Sequence, residues 1–198
     1  MEAFLRDGYA ETSTLAIARR ARVSKRDLYA HFGSKRAILA AGIAHRAQRM
    51  RPPGEPRAVR SRAELESALA GFGAAFLREI LDRAVIAVYR LAIAEAVRAP
   101  EIARTLDEAG QQPVRAALRR LLAAAQASGL LGDGDLDAMT GQFFALLWGD
   151  LQMPALLRIP ATPGGPELSA HAAQAAAAFL ALHPAAQTRP RPACPPPD

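Results

Sequence analysis

Cysteine is nearly missing from this chain: its 198 residues hold one, Cys194, in a proline-rich tail. That excludes a disulfide framework and a cysteine-built metal site, and it suits a reducing cytoplasm. Histidine is almost as rare, and His31, His45, His171 and His183 lack metal-ligand spacing. No run of about 18 uninterrupted apolar residues is present to span a bilayer. The opening MEAFLRDGYAE has neither the basic start nor the apolar centre of a secretion signal. The expectation is a cytoplasmic protein with no metal, no other cofactor and no membrane partner.

Catalytic signatures are absent as well. G-x-x-x-x-G-K, G-x-G-x-x-G, H-E-x-x-H and G-x-S-x-G do not occur. The stretch DGDLD opens like a calcium loop, but Ala138 stands where such a loop needs glycine and Phe144 where it closes on glutamate, so it reads as a helix cap. No catalytic residue is assigned, and the chain reads as a non-enzyme.

What is present is helix. The chain is 51% hydrophobic, enough to build a core. Its apolar residues recur at spacings of three and four rather than two, amid abundant Ala, Leu, Arg and Glu. The expected fold is all-α. Glu2 to Asp7 forms a short helix closed by Gly8, Ser13 caps a second running to about Ala21, Ser24 caps a third ending at Gly33, and Ser34 opens a longer fourth. RPPGEPR, at 51–57, breaks the pattern and reads as a linker.

Beyond it Leu65, Leu69, Phe72, Phe76 and Ile80 make one apolar stripe. Residues 84–97 are apolar nearly all round, which places them in the middle of a helical core. Further helices are expected at about 101–109, 113–128, 135–158 and 166–183. The closing PAAQTRPRPACPPPD has little to bury and reads as a disordered tail. The expected domains are therefore 1–50, a helical domain over 58–184, and the tail at 185–198.

Charge distinguishes the two domains. Residues 1–50 hold ten Lys/Arg against four Asp/Glu, whereas residues 51–198 hold fifteen of each. A basic N-terminal surface on a neutral body points to a polyanionic partner. In that segment STLAIARRA, RVS and KRDLYAHF supply two short helices joined by a three-residue turn, a helix-turn-helix over about 13–32. Ile17, Ala18, Ala21, Val23, Leu28 and Phe32 are expected to pack with Phe4, Leu5 and Tyr9, leaving Lys25, Arg26, Tyr29 and Ala30 outward for a major groove. Ser24 and Asp27 form a capping pair, Thr14 offers its N–H and hydroxyl to a phosphate, and Tyr29 and His31 lie within reach of the DNA backbone.

The stretch GYAETSTLAIARRARVSKRDLYAHFGSKRAIL resembles the DNA-binding domain of the TetR/AcrR family of bacterial repressors, over about residues 1–46. The resemblance implies phosphate contacts from Thr14, Tyr29 and Lys35 and base contacts from Lys25, Arg26 and Ala30, with Ser24 and His31 beside them. Arg22 stands where that family usually has a turn glycine. The first helix lacks the family's usual basic arm, which suggests a shortened start.

Less specifically, VYRLAIAEAVRAPEIARTLDEAGQQPVRAALRRLLAAAQASGLL and FFALLWGDL resemble the regulatory domain of the AefR-like branch, which implies dimerisation and binding of a small molecule. Phe72, Phe76, Tyr89, Phe143, Phe144, Trp148 and Met153 are candidates for a pocket taking an apolar or amphipathic effector. Leu136, Met139, Phe143, Leu147 and Leu151, with Ala172, Ala175 and Phe179 of HAAQAAAAFLALH, are candidates for the homodimer interface. The expected function is a repressor that binds a palindromic operator in double-stranded DNA as a dimer and is released by its effector. The alternative is a helical small-molecule-binding protein or enzyme carrying a vestigial DNA-binding domain.

Overall fold

A computed structural model describes residues 2–50, 59–159 and 164–186, and among them the regular structure is helical without a strand. The expected linker at 51–57 and the tail beyond Ala186 lie outside the described residues. Four helices form the N-terminal part: α1 (Glu2–Asp7), α2 (Thr14–Ala21), α3 (Lys25–Phe32) and α4 (Lys35–Arg49). The last three start as the sequence predicts. Ser13, Ser24 and Ser34 accept from Ala16, Asp27 and Ala37 N–H at 3.0–3.1 Å, each satisfying a donor that the first helical turn leaves orphaned.

Phe4 stacks on Tyr9 at 5.6 Å, and both are buried with Ala18, Leu28, Leu39 and Ile43. Thr12 is buried too, its hydroxyl close to Ala3 O and Gly8 O, which ties the loop after α1 back onto that helix. Ile17 and Phe32 are half-buried, but Ala21 and Val23 are exposed. This corrects the expectation for those two: the left-handed turn at Arg22 carries the chain off the edge of a core too small to cover them. The side chain of Leu5 lies outside the described residues.

The body comprises α5 (Arg62–Ile80), α6 (Arg83–Ala94), α7 (Pro100–Leu106), a five-residue π-turn (Asp107–Gln111), α8 (Gln112–Ala127), α9 (Leu136–Trp148), α10 (Gln152–Leu157) and α11 (Gly165–Leu182). The Leu65, Leu69, Phe72, Phe76 and Ile80 stripe of α5 is buried throughout. α5 packs closely against α9 and α11 at Gly73, which has no side chain: a Cβ there would stand 2.7 Å from Leu147 Cδ2 of α9 and 3.2 Å from Ala172 Cβ of α11. At its start α5 is fixed by Arg62, whose guanidinium donates to Leu130 O, Leu180 O and His183 O, carbonyls at the ends of α8 and α11.

Three expectations for the body need correction. Residues 84–97 are not central, since Ile93 and Val97 are exposed and only the near face of α6 is buried. The helix expected at 135–158 is broken at Gly149, where φ is +44°, a conformation glycine adopts without a Cβ clash. The break expected between 109 and 113 does not occur. Pro113 has no N–H to offer Ala109 O, and the chain continues through the π-turn, with Gln112 N–H bonding back to Asp107 O.

The two parts share an apolar cluster. Phe4, Tyr9, Leu39 and Ile43 pack together with Val88, Ala92, Ala99, Ile102 and Leu106 of the body. Beside it Arg46 of α4 pairs with Glu79 at 2.9 Å and Asp82 at 2.8 Å, and Arg49 reaches the other Glu79 oxygen at 3.1 Å. Glu79 is buried, so removing either arginine would weaken the compensation of a charge held out of water.

Candidate nucleic-acid interface and the cavity behind it

α2 and α3 meet through a three-residue turn whose first residue, Arg22, has φ +57° and ψ +37°. Ser24 spends its hydroxyl on the cap: it accepts from Asp27 N–H and donates to the Asp27 carboxylate at 2.7 Å. Its role is therefore to hold the start of α3. Lys25, Arg26, Tyr29, Ala30 and His31 are all exposed. Thr14, at the start of α2, donates its hydroxyl to the Tyr29 hydroxyl at 3.2 Å, and the Lys25 ammonium lies 5.7 Å from the Tyr29 ring centre. One edge thus gathers Thr14, Lys25 and Tyr29, while His31 packs edge-on against Phe32 at 4.5 Å.

Lys35 is placed differently from its expected role. Its ammonium donates to Tyr9 O at 2.9 Å and Ala10 O at 3.2 Å and sits 4.6 Å from the Tyr9 ring centre. Two of three donors are committed to the loop after α1, so Lys35 first positions that loop and keeps one hydrogen for anything outside. Around this edge Arg19, Arg22, Arg26 and Arg36 are exposed, and none joins an ion pair among the described residues. The surface is cationic and unneutralised, the electrostatic footprint a phosphate backbone requires.

Behind α4 lies a cavity of about 330 Å³. Ile43, Arg46 and Ala47 of α4 with Met50 just after it form one wall, Phe76, Ile80, Val85, Val88 and Tyr89 another, and Phe144 and Trp148 of α9 a third, with Gln111 of the π-turn, Arg115 and Gln152 supplying polarity. Of the seven residues proposed from sequence, Phe76, Tyr89, Phe144 and Trp148 line it. Phe72 and Phe143 do not, being packed into the core between α5, α9 and α11, and Met153 is exposed on α10. The polar lining escaped the sequence reading because nothing in a helical period distinguishes a glutamine facing a cavity from one facing solvent. Burial, and then the nearby Asp107 carboxylate, push the Tyr89 phenol up to about 12, so it remains a hydrogen-bond donor at neutral pH.

The expected dimer face is occupied within the protomer. Met139, Phe143, Leu147, Ala172, Ala175 and Phe179 are buried against α5 and each other, and Leu136 and Leu151 are half-buried on the same core. The physical reason is that one apolar stripe of each helix suffices only for its own core, and α9 and α11 use theirs on α5. What α11 leaves outward is a row of small residues, Ala170, Ala173, Ala177, Ala178 and Ala181.

Residues 1–41 match the family model of the bacterial regulatory proteins of the tetR family, and residues 67–183 that of the C-terminal domain of the AefR-like transcriptional repressor. No curated protein matches the chain. Among solved structures it is similar to a TetR transcriptional regulator from Agrobacterium tumefaciens, at 28% identity and TM-score 0.76, over 92% of this chain and 89% of the other. The flavonoid-responsive regulator FrrA is similar at 29% identity and TM-score 0.72, over 92% and 91%. A TetR family transcriptional regulator from Pseudomonas syringae pv. tomato str. DC3000 shares 28% identity with TM-score 0.62, over 91% and 89%. These relatives are regulators rather than enzymes.

Proposed function

The chain belongs to the TetR family of DNA-binding transcriptional regulators, with an AefR-like C-terminal domain, and from that premise we propose that it is a dimeric repressor released from a palindromic operator by a small molecule. The observation that carries this reading is that α4 serves both sites. It follows the helix-turn-helix directly, and its Ile43, Arg46 and Ala47, with Met50 just after it, wall the cavity. A molecule in the cavity therefore presses on the helix that holds the DNA-reading pair, and its differential affinity for two positions of α4 is what would shift the repressor off DNA.

On this reading Lys25, Arg26 and Ala30 face base edges, and Thr14, Tyr29 and the remaining donor of Lys35 take phosphates. The dimer forms through the outward Ala-rich row of α11 and the exposed side of α9, where small residues allow two helices from each protomer to approach closely. One relative is a flavonoid-responsive regulator, and an aromatic effector suits a cavity in which Phe76 meets Phe144 at 5.0 Å and Trp148 at 5.5 Å, both edge-on. The test is selection of a bound duplex from a random pool, with light scattering on the free protein. A dimer should select a two-fold-symmetric sequence with half-sites about one helical turn apart. A monomeric protein, or a selected sequence without symmetry, would overturn it.

A further inference from the structure

The cavity has at its lining one exposed arginine, Arg115, that no acidic side chain answers among the described residues. Arg46, on the α4 wall, is matched by Glu79 and Asp82, and Glu79 is shared with Arg49, so that group of four sums to zero. The lining contains no aspartate or glutamate. Arg115 of α8 joins no ion pair among the described residues. Its guanidinium lies 5.5 Å from the Phe144 ring centre, near Gly141.

A guanidinium stacked on an aromatic face keeps its N–H edge free, and that edge fits the two oxygens of a carboxylate or the single oxygen of a phenolate. Tyr89 also lines the cavity, and Asp107 is close enough to its phenol to disfavour a negative charge there. The rest of the lining is largely apolar and aromatic. A neutral aromatic compound would fill the apolar part and leave the arginine to water alone. A cation would meet Arg115 with no carboxylate in the lining to hold it.

Taking the cavity as the effector site, we propose that it selects an aromatic monoanion, a carboxylate or an acidic phenol in its ionised form, and that Arg115 holds the charged group while Phe76, Phe144 and Trp148 hold the ring. Arg115 is then the residue that sets effector class, and Tyr89 offers a hydrogen-bond donor to the same molecule.

Calorimetric titration of the full chain with 2-naphthoate and with its neutral analogue 2-naphthamide tests this. The wild-type protein should bind the carboxylate about ten- to a hundredfold more tightly than the amide, the range a charge-assisted hydrogen-bonded contact supports. Arg115→Gln should abolish that preference while leaving the amide affinity within about twofold, which also shows that the variant is folded, and Arg115→Lys should restore part of it. Equal binding of both probes by the wild type would overturn the charge selectivity and leave the cavity standing as an effector site. Failure of both to bind would remove the effector site itself. An Arg115→Gln variant that loses both probes equally would reduce Arg115 to a packing residue over Phe144.

Discussion

Two side chains of the N-terminal domain act through the backbone rather than through their charge. Arg22 occupies a left-handed conformation at φ +57°, which costs a side-chain-bearing residue roughly 1–2 kcal/mol, and the turn holds it there through N–H bonds from Arg22 and Val23 to carbonyls of α2. Lys35 is bonded to two carbonyls of the loop after α1, so its loss removes contacts in the free protein as well as on DNA. Lys35→Ala should therefore lower unfolding free energy by about 1–3 kcal/mol, the cost of leaving partners unmet, and weaken binding to operator and random DNA alike. Lys25→Ala should leave stability within about 0.5 kcal/mol and weaken operator binding alone by about 1–3 kcal/mol. Urea unfolding and anisotropy titrations on both DNAs check this, and a Lys35→Ala protein as stable as wild type would contradict the loop assignment. The serine caps and the outward set of α3 were legible in the sequence because they depend on neighbours within one turn. The partners of Lys35 were not, because residues 9 and 10 reach it only through the fold.

Among the helices, α5 meets both α9 and α11 closely, and Gly73 is the position that permits it. Leu147, which a Cβ at residue 73 would meet, is itself fully buried and has no open side to swing into. Gly73→Val should destabilise the chain by about 1–3 kcal/mol through overpacking. In Gly73→Ala a gain of roughly 0.5–1 kcal/mol in helix propensity offsets part of a smaller clash. Urea unfolding of the two variants distinguishes these outcomes, and a Gly73→Val protein as stable as wild type would show that α5 is less closely held against α9 and α11. The stripe on α5 was legible because its period is intrinsic. The break at Gly149 was obscured by apolar residues continuing across it, and the π-turn by Pro113, which suggests an ending where the helix in fact bulges. The dimer face was misread for a related reason: periodicity marks an apolar stripe but not what it packs against, and for α9 and α11 the answer is α5.

At the scale of the whole molecule, the DNA-reading pair and the cavity are joined by α4, by the apolar cluster from Phe4 to Leu106, and by the ion pairs of Arg46 and Arg49. The basic charge of the first quarter was visible in composition, and so was the neutrality of the rest. The coupling between them was not, since it depends on contacts between residues thirty or more positions apart. Filling the cavity with protein tests that coupling without an effector. Ala84 lines the cavity from the start of α6, and Ala84→Phe places a ring in that space. Anisotropy titration of this variant on a duplex selected by the wild-type protein should show affinity reduced by about 5- to 150-fold, the usual range of coupling between distant sites, in a protein that melts no lower than wild type. An Ala84→Phe variant that melts no lower and holds that duplex as tightly as wild type would contradict the account.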